Sequence, residues 1–408
     1  MDILSLYRRL LKLPPYWRVE RVELDDQRER VDIWIAHDPR ILFSCPECGR
    51  PFSVYDHAEE RCLRHLDSCE HGTWIHVRIP RINCPIHGIR QVAAPGVVGS
   101  SGLTVGMEIR AIDTLAECSR EGASRLLGLS WDESDGVLER AVARGLERRN
   151  PELPPWLGID EKEVFARHKY FTVITGFNPA RVLEVIDGRR IADVEPWFVA
   201  HKTELKDVAG FAMDMSAAYA GVVVKKCPDA EICYDHFHVF QKVTAAVDEV
   251  RKEEQKTLGD DEQRAGFFRS RYLFLYNEEN VPEHRAEDFE RAKAVAVKTS
   301  RAWAIKEDFR NLWACKTVEE AEAFFKRWYW WATHSRLEPM REAAKTLKRH
   351  WTGIANAIAR RISNACTEGF NNKIERIKRD ACGFRNKAKL RTAILFHCGG
   401  LDLYPNRN

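Results

Sequence analysis

The stretch Trp156-Leu157-Gly158-Ile159-Asp160-Glu161 begins a series of short apolar segments separated by polar turns. Two more segments of β type follow it, Tyr170-Phe171-Thr172-Val173-Ile174-Thr175 and Arg181-Val182-Leu183-Glu184-Val185-Ile186. A helical pattern then separates them from two further strands, at residues 210–216 and 230–234. The sequence therefore predicts the order three strands, helix, strand, helix, strand.

That order is typical of an RNase H-like fold, in which helices cover a mixed sheet. The first and fourth strands of this fold are central neighbours, so we expect Asp160 and Asp214 to lie close together. Glu161 is an alternative to Asp160, and Asp235 is an alternative to Asp214. A single aspartate at a strand end is more often a turn or cap residue, so the pair needs a third acid to indicate a site.

The third acid lies in Ser363-Asn364-Ala365-Cys366-Thr367-Glu368-Gly369-Phe370-Asn371-Asn372-Lys373, which predicts a polar, basic helix. Residues 341–391 hold fourteen lysines and arginines against four acidic residues, although the whole chain carries only +3. A carboxylate in such a field fits a divalent metal beside a phosphate backbone. Asp160, Asp214 and Glu368 would offer the hard oxygen ligands that suit Mg2+ or Mn2+, with two ions in the site.

Composition predicts a highly charged globular protein of several domains, with 44% hydrophobic and 31% charged residues. No apolar run approaches the roughly 18–20 residues that cross a bilayer. The first residues lack the pattern of a secretory signal. We therefore expect a cytoplasmic protein without membrane contact, in which cysteines at close spacing are metal ligands rather than disulfides.

Two cysteine turns near the N-terminus have this spacing, Cys45-Pro46-Glu47-Cys48-Gly49 and Cys84-Pro85-Ile86-His87-Gly88. Each turn would supply two ligands, so Cys45, Cys48, Cys84 and His87 predict a closed, structural zinc site of Cys3His type. Hairpin strands should fill the long gap between them. Four residues in that gap could replace a ligand or build a second site: Cys62, His65, Cys69 and His71.

Residues 107–146 change to helical periodicity. A short helix after Ser119 ends in a glycine turn at Gly128, and Ser130 is placed to cap a second helix from Trp131. This arrangement fits a DNA-binding helix-turn-helix, and a plain helical hairpin is nearly as good an interpretation. The proline-rich segment 150–155 then marks a domain boundary.

Taken together, these motifs resemble bacterial insertion-sequence transposases of the ISL-three type, which belong to the DDE group. The resemblance covers nearly the whole chain. It is carried by the two cysteine turns, by the segments at residues 158–161, 213–216 and 235–239, and by the polar block from residue 363 to residue 386. It implies a catalytic triad of Asp160, Asp214 and Glu368, and a helical insertion between the second and third acids.

Several further residues are candidates for a supporting role. Asn364 and Asn372 stand four residues on either side of Glu368, so helical spacing puts all three on one face. The resemblance suggests a place for Asp235 and His238 beside the active site, whereas a structural role at the sheet edge is equally plausible for them. The aromatic segment 324–331 favours core packing over base stacking.

The resulting hypothesis is a transposase that binds terminal inverted repeats of double-stranded DNA and joins the freed 3′-hydroxyl to target DNA. It would act near the nucleoid, as a homodimer or larger assembly. The alternatives are a zinc-dependent regulatory protein without chemistry and a host nuclease. Six basic residues of the C-terminal part are candidates for DNA contacts: Lys373, Arg376, Lys378, Arg379, Arg385 and Lys387.

The fold class expected from all of this is a multidomain α+β protein with an RNase H-like α/β catalytic core. Five ranges are predicted: a zinc-binding β module at 1–100, a helix-turn-helix at 101–150, the first part of the core at 151–240, an α-helical insertion at 241–360, and the last core helix with a basic tail at 361–408.

Overall fold

The computed structural model describes residues 2–165, 169–257, 267, 271–362 and 364–406; Ser363, part of the polar block, lies outside them. The chain divides into two compact units. One is formed by Met1–Asn150 and Ile377–Asn408, and the other by Pro151–Arg376. The residues from Ile377 onward thus belong with the N-terminal unit, so the predicted range 361–408 is split between the two. No helix within the described part of the chain has the length and apolar character needed to cross a bilayer.

The first unit begins with a short helix and a β-rich module. Its helix is α1 (Ile3–Leu10), and its strands are β1 (Trp17–Asp25), β2 (Arg30–His37), β3 (Phe43–Ser44), β4 (Pro51–Phe52), β5 (Val54–Ser68), β6 (His71–Cys84) and β7 (Gly88–Gln91). The main sheet has the order β1-β2-β6-β5, with β7 paired to β6. The long β5–β6 hairpin confirms the prediction that hairpin strands separate the two cysteine turns.

Residues of the main sheet alternate between a buried face and an outer face, as the pleat requires. On β2 the side chains of Val31, Ile33 and Ile35 are buried in the core, and Ile75 and Val77 of β6 join them. The residues between them face outward. One face of the sheet therefore packs into the core, and the other face carries the alternate residues of each strand.

Three helices follow: α2 (Val105–Glu117), α3 (Arg120–Leu127) and α4 (Trp131–Glu147). The predicted turn is present, because Gly128 ends α3 with a left-handed φ of 63° that favours glycine. The predicted cap is also present, since Ser130 and Glu133 form a capping box at the start of α4. The use of these helices as a DNA-binding helix-turn-helix stays a prediction.

The second unit is built on a five-stranded sheet of order β10-β9-β8-β11-β12. Its elements up to the last strand are β8 (Trp156–Phe165), β9 (Lys169–Gly176), β10 (Arg181–Asp187), α5 (Ile191–Ala200), β11 (Gly210–Met213), α6 (Ala217–Lys226) and β12 (Glu231–Tyr234). The first three strands are antiparallel, and β11 lies parallel to both β8 and β12. The predicted element order and the pairing of the first and fourth strands are confirmed.

After β12 the described residues of this unit contain helices and 3-10 turns but no strand. The helices are α7 (His236–Gln255), α8 (Arg271–Leu275), α9 (Ala286–Val295), α10 (Val297–Phe309), α11 (Val318–His334), α12 (Glu338–Arg349), α13 (Trp351–Arg360) and α14 (Ala365–Asp380). The chain ends with α15 (Lys387–Cys398), which packs on α4 within the first unit.

The aromatic segment of α11 serves the core, as favoured from the sequence. Trp328 is fully buried, and its indole N–H donates to the carbonyl of Ile305 at 2.8 Å. Phe324 and Phe325 are buried beside it, whereas Trp330 is 63% exposed. Most of this aromatic surface is therefore unavailable to stack on bases.

Candidate active site and zinc centre

The two cysteine turns bring four metal-ligating side chains together. The Nδ1 atom of His87 lies 3.6 Å from the sulfur of Cys45 and 3.6 Å from that of Cys84, and the Cys48 and Cys84 sulfurs are 3.8 Å apart. All four ligand atoms lie within 4.8 Å of one another. These spacings fit a tetrahedral ion with zinc–sulfur bonds of about 2.3 Å and a zinc–nitrogen bond of about 2.0 Å.

The alternative ligands are engaged elsewhere. The Nδ1 atom of His65 lies 2.8 Å from the Thr104 hydroxyl, and His71 faces Asp26 at 3.6 Å. Cys69 is exposed, and Cys62 lies in a different cluster. His87 is therefore the fourth member of the group Cys45, Cys48, Cys84 and His87, which is termed the ribbon cluster.

Asp160 and Asp214 occupy equivalent positions on neighbouring strands. Ile159 of β8 pairs with Met213 of β11, and each aspartate is the next residue along its chain. Asp160 is only 6% exposed. Its Oδ1 accepts the Glu161 backbone N–H at 2.8 Å, and Oδ1 of Asp214 accepts the Ser216 backbone N–H at 3.0 Å. The fold thus brings two acids that are 54 residues apart in the sequence beside each other on two inner strands of the sheet.

The surroundings of these two carboxylates raise the pKa values of both. Burial raises the pKa of Asp160 to about 6, and the negative charge of Asp214 adds to the effect. Burial also raises the pKa of Asp214, against the opposing influence of His238. Within the described residues, no lysine or arginine forms an ion pair with Asp160, Asp214 or Glu368. Carboxylate oxygens that have no lysine or arginine partner are the kind of ligand that a divalent metal ion requires.

Helix α14 runs along β8 with matched spacing. Thr367, Asn371 and Glu375 lie four residues apart on the helix, and each meets one residue of β8. The Asn371 side-chain amide donates to Oδ2 of Asp160 at 2.8 Å, and Glu375 pairs with Lys162 at 3.3 Å. The match is geometric, because four helical residues rise about 6 Å and two strand residues about 6.6 Å.

Gly158 allows this close approach. A Cβ at this position would overlap the hydroxyl groups of Thr367 and Thr175, which hydrogen-bond to each other at 2.8 Å. Thr367 is itself fully buried. The absence of a side chain on β8 therefore sets how near the N-terminal half of α14 comes to the sheet.

Glu368 lies in the first turn of α14, next to the residues that contact β8. It is partly exposed, and no hydrogen bond or ion pair to a described residue engages its carboxylate. The three predicted acids do not form a group whose oxygens all lie within 4.8 Å, unlike the cysteine cluster. The structure thus pairs Asp160 with Asp214 and puts Glu368 on the helix that crosses their strand.

The two asparagines predicted to support Glu368 differ in their surroundings. Asn364 is fully buried just before α14, whereas Asn372 is exposed. The residue that reaches Asp160 is Asn371, which was not predicted. Buried Thr367 and Ile374 mark the inward face of α14, and Asn371 lies on that face between them. This i, i+4, i+7 pattern was the signal in the sequence that could have identified it.

Asp235 and His238 have separate positions at the start of α7. Asp235 is 2% exposed, and its two oxygens accept the backbone N–H groups of Phe237 and Asn364, both at 2.9 Å. It therefore ties the start of α7 to the residue before α14. His238 faces the acids, since its charge would lower the pKa of both Asp160 and Asp214.

An open cleft of about 390 Å³ adjoins Asp214. Its lining is mostly charged or polar: Glu161, Arg189, Arg190, Asp214, Ser216, His238, Gln241 and Lys242, together with Met215 and Ala218. Arg189 pairs with Glu161 at 3.0 Å and Arg190 with Asp193 at 3.2 Å. The sequence did not predict Arg189, Arg190 and Lys242 as members of this cleft, because they come from two separated segments.

The six basic residues predicted to contact DNA are divided between the units. Lys373 and Arg376 belong to the second unit, and the others to the first. Four of the six are exposed: Lys373, Arg376, Arg379 and Arg385. Lys378 and Lys387 are half-buried. Their contact with DNA stays a prediction.

Comparison with known protein families identifies the class to which this chain belongs. Residues 157–394 match a family described as transposase, and residues 42–87 match the zinc-finger of transposase IS204/IS1001/IS1096/IS1165. Because the first match covers more than half of the chain, the protein belongs to the ISL-three family of insertion-sequence transposases.

Individual relatives agree with this assignment over their full length. The chain is 27% identical to the transposase for insertion sequence element IS1557 of Mycobacterium tuberculosis, covering 100% of this chain and 98% of the relative. It is 26% identical to the transposase for insertion sequence element IS1001 of Bordetella parapertussis, covering 94% of this chain and 96% of the relative. The Drosophila P element transposase strand transfer complex aligns with 74% of this chain and 92% of that one at 8% identity and a TM-score of 0.37, too distant to carry an argument.

Proposed function

We propose that this transposase is a DDE enzyme with an RNase H-like core, whose triad is Asp160, Asp214 and Glu368. The observation that carries the proposal is the position of Asp160 and Asp214 beside each other on adjacent parallel strands, with raised pKa values and with no lysine or arginine of the described residues paired to either. The helix above them supplies Glu368 as a third, unengaged carboxylate. Two Mg2+ or Mn2+ ions held by these oxygens would activate a water or 3′-hydroxyl and stabilise the leaving oxygen.

Asn371 and Asp235 would position the triad. Asn371 holds Oδ2 of Asp160, so the other oxygen and its lone pairs keep a fixed direction. Asp235 anchors the backbone four residues before Glu368. Both contacts act on helix α14, and both would keep the third acid in register with the sheet.

The cleft beside Asp214 would bind the DNA backbone. Arg189, Lys242 and His238 line it, and they would neutralise phosphate oxygens close to the reacting bond. Arg189 already pairs with Glu161 and stacks on Tyr170 with its guanidinium 3.9 Å from the ring centre. Its position is therefore set before DNA arrives, and binding needs little reordering.

The first unit would recognise the DNA ends. A structural zinc held by Cys45, Cys48, Cys84 and His87 would stabilise the ribbon, and α3 with α4 would read the terminal inverted repeats as a helix-turn-helix. A homodimer or larger assembly would bring two ends together on double-stranded DNA. Such a protein would work at the nucleoid in the cytoplasm.

A strand-transfer assay tests the proposal. Wild-type protein is incubated with a labelled element end and plasmid target, with Mg2+, with Mn2+ or with a chelator. Cleavage at the terminal repeat and joining to the target, both dependent on metal, are expected. End binding without any cleavage would instead indicate a regulatory protein, and cleavage without preference for the repeat would indicate a nuclease.

A further inference from the structure

A second cluster of metal-ligating side chains lies on the outer face of the N-terminal sheet. Asp32 on β2, Cys62 on β5 and His76 on β6 offer ligand atoms that all lie within 4.8 Å of one another. Cys62 and His76 are direct partners in the antiparallel β5–β6 register. The neighbouring residues Ile33 and Ile75 are buried in the core. The cluster is thus built on rigid strands and not on a loop.

His76 is held in one orientation. Its Nε2 atom lies 2.6 Å from Oδ1 of Asp32 and 3.8 Å from the sulfur of Cys62. Its Nδ1 atom lies 3.1 Å from a carboxylate oxygen of Glu60, and its ring stacks on Trp34 with centres 4.3 Å apart. A carboxylate behind the imidazole is the arrangement that orients metal-bound histidines.

The two nitrogens of His76 both face carboxylates. A neutral imidazole carries a single N–H, so it can donate to only one of them. If that hydrogen is on Nδ1 toward Glu60, the lone pair on Nε2 points at Asp32. In that tautomer Nε2 is the nitrogen whose lone pair can bind a metal ion shared with Asp32 and Cys62.

We propose that Asp32, Cys62 and His76 form a second divalent metal site, of the kind that takes zinc, with one position open to water. Thiolate, imidazole and carboxylate are all zinc ligands, and three protein ligands leave the fourth position free. Binding would release the proton of the Cys62 thiol, because the thiolate is the ligand, and a neutral His76 would bind through the lone pair on Nε2.

Arg30 limits the strength of this site. Its guanidinium forks onto Asp32, with both nitrogen–oxygen distances at 2.6 Å, and its Nη2 atom lies 4.0 Å from the Cys62 sulfur. Asp32 would therefore act as a shared ligand whose charge is partly offset. We expect the site to bind more weakly than the ribbon cluster, which has three sulfur ligands and whose ligands accept no hydrogen bond from an arginine of the described residues.

Cobalt titration of the full-length protein tests the proposal. Reduced, metal-free protein is titrated with Co2+, and the visible bands of cobalt–thiolate coordination are followed. Wild type is expected to show two thiolate-coordinated Co2+ ions per chain, one in each cysteine-containing cluster, and Cys62→Ser one. The control is Cys69→Ser, a change at another exposed cysteine of the same hairpin, which should keep both sites.

Alkylation of the wild-type protein gives a second measurement that needs no variant. Saturating Zn2+ is expected to slow iodoacetamide labelling of Cys62 by about tenfold or more, because a bound thiolate is no longer a free nucleophile. Labelling of Cys69 should not change. A single thiolate-bound Co2+ per chain in wild type, or labelling of Cys62 at the same rate with and without Zn2+, would overturn the proposal.

Discussion

The Asn371 amide donates to Oδ2 of Asp160 at 2.8 Å and thereby joins helix α14 to the central strand of the second unit. The contact lies between two others in the same ladder, at Gly158 with Thr367 and at Lys162 with Glu375. Helix α14 also carries Glu368. The position of the third acid is therefore fixed by the strand that carries the first.

Removal of the Asn371 amide should impair catalysis without unfolding the protein. We expect Asn371→Ala to lower the rate of end cleavage by about 10- to 100-fold, the usual effect of losing a partner of a metal ligand. Asn372→Ala is a matched control, because its side chain is exposed on the same helix. Cleavage rates are measured at saturating DNA. Equal losses in the two variants would contradict the positioning role.

A methyl group on β8 should push α14 away. Gly158→Ala would overlap the hydroxyls of Thr367 and Thr175, and overpacking of this kind costs about 1–3 kcal/mol. The free energy of unfolding in urea and the rate of end cleavage should both decrease. Gly221→Ala is the control, since open space surrounds that glycine and alanine favours the helix. A fully active, equally stable Gly158→Ala protein would show that this close approach is not needed.

The raised pKa of Asp160 predicts a pH dependence of metal affinity. Protonated Asp160 cannot bind a cation, so Mn2+ affinity should fall by up to about tenfold per pH unit below pH 6 and level off above it. In the metal-free protein, Asp160 should affect folding stability in the opposite direction, so that its contribution falls as pH rises. The folded-state pKa of Asp160 lies above the unfolded value of 3.8, so the contribution of Asp160 to the free energy of unfolding should decrease as pH rises from about 4 to about 6, which the difference between wild type and Asp160→Asn measures.

Mn2+ titration of the protein across this range, with chemical unfolding in parallel, checks both trends. Asp160→Asn should bind Mn2+ weakly at every pH and lose its share of the stability trend. Affinity that stays constant between about pH 5 and about pH 7 in wild type would contradict the assignment of the buried acid as a ligand.

Loss of a ribbon ligand should release zinc and destabilise the first unit. Cys45→Ser is expected to lower zinc content by one equivalent and to reduce thermal stability, because the metal would couple two turns that lie at opposite ends of the long hairpin in the sequence. Cys118→Ser should retain the metal, since Cys118 lies outside both clusters. Zinc is quantified by mass spectrometry of the purified protein.

The sequence predicted the sheet of the second unit well, because its strands alternate clearly with helices and each is bounded by turn residues. It also predicted the ribbon cluster, in which spacing and residue type are both restrictive. It did not predict Asn371, because spacing from Glu368 favours Asn364 and Asn372, whereas the inward face of α14 that Thr367 and Ile374 mark holds Asn371. The Asp32, Cys62 and His76 cluster was equally inaccessible, because only the strand order β2-β6-β5 brings those residues together.

Cleavage of a labelled element end by Glu368→Gln, compared with Glu375→Gln on the same helix, tests the central claim most directly. Glutamine keeps the size of the side chain and removes the charge that a metal ion requires. The Glu368 change should lower the cleavage rate by more than about a hundredfold with end binding retained, and the Glu375 change, which weakens only the partly exposed ion pair with Lys162, should lower it far less. Full cleavage activity in Glu368→Gln would contradict its assignment as the third acid of the triad.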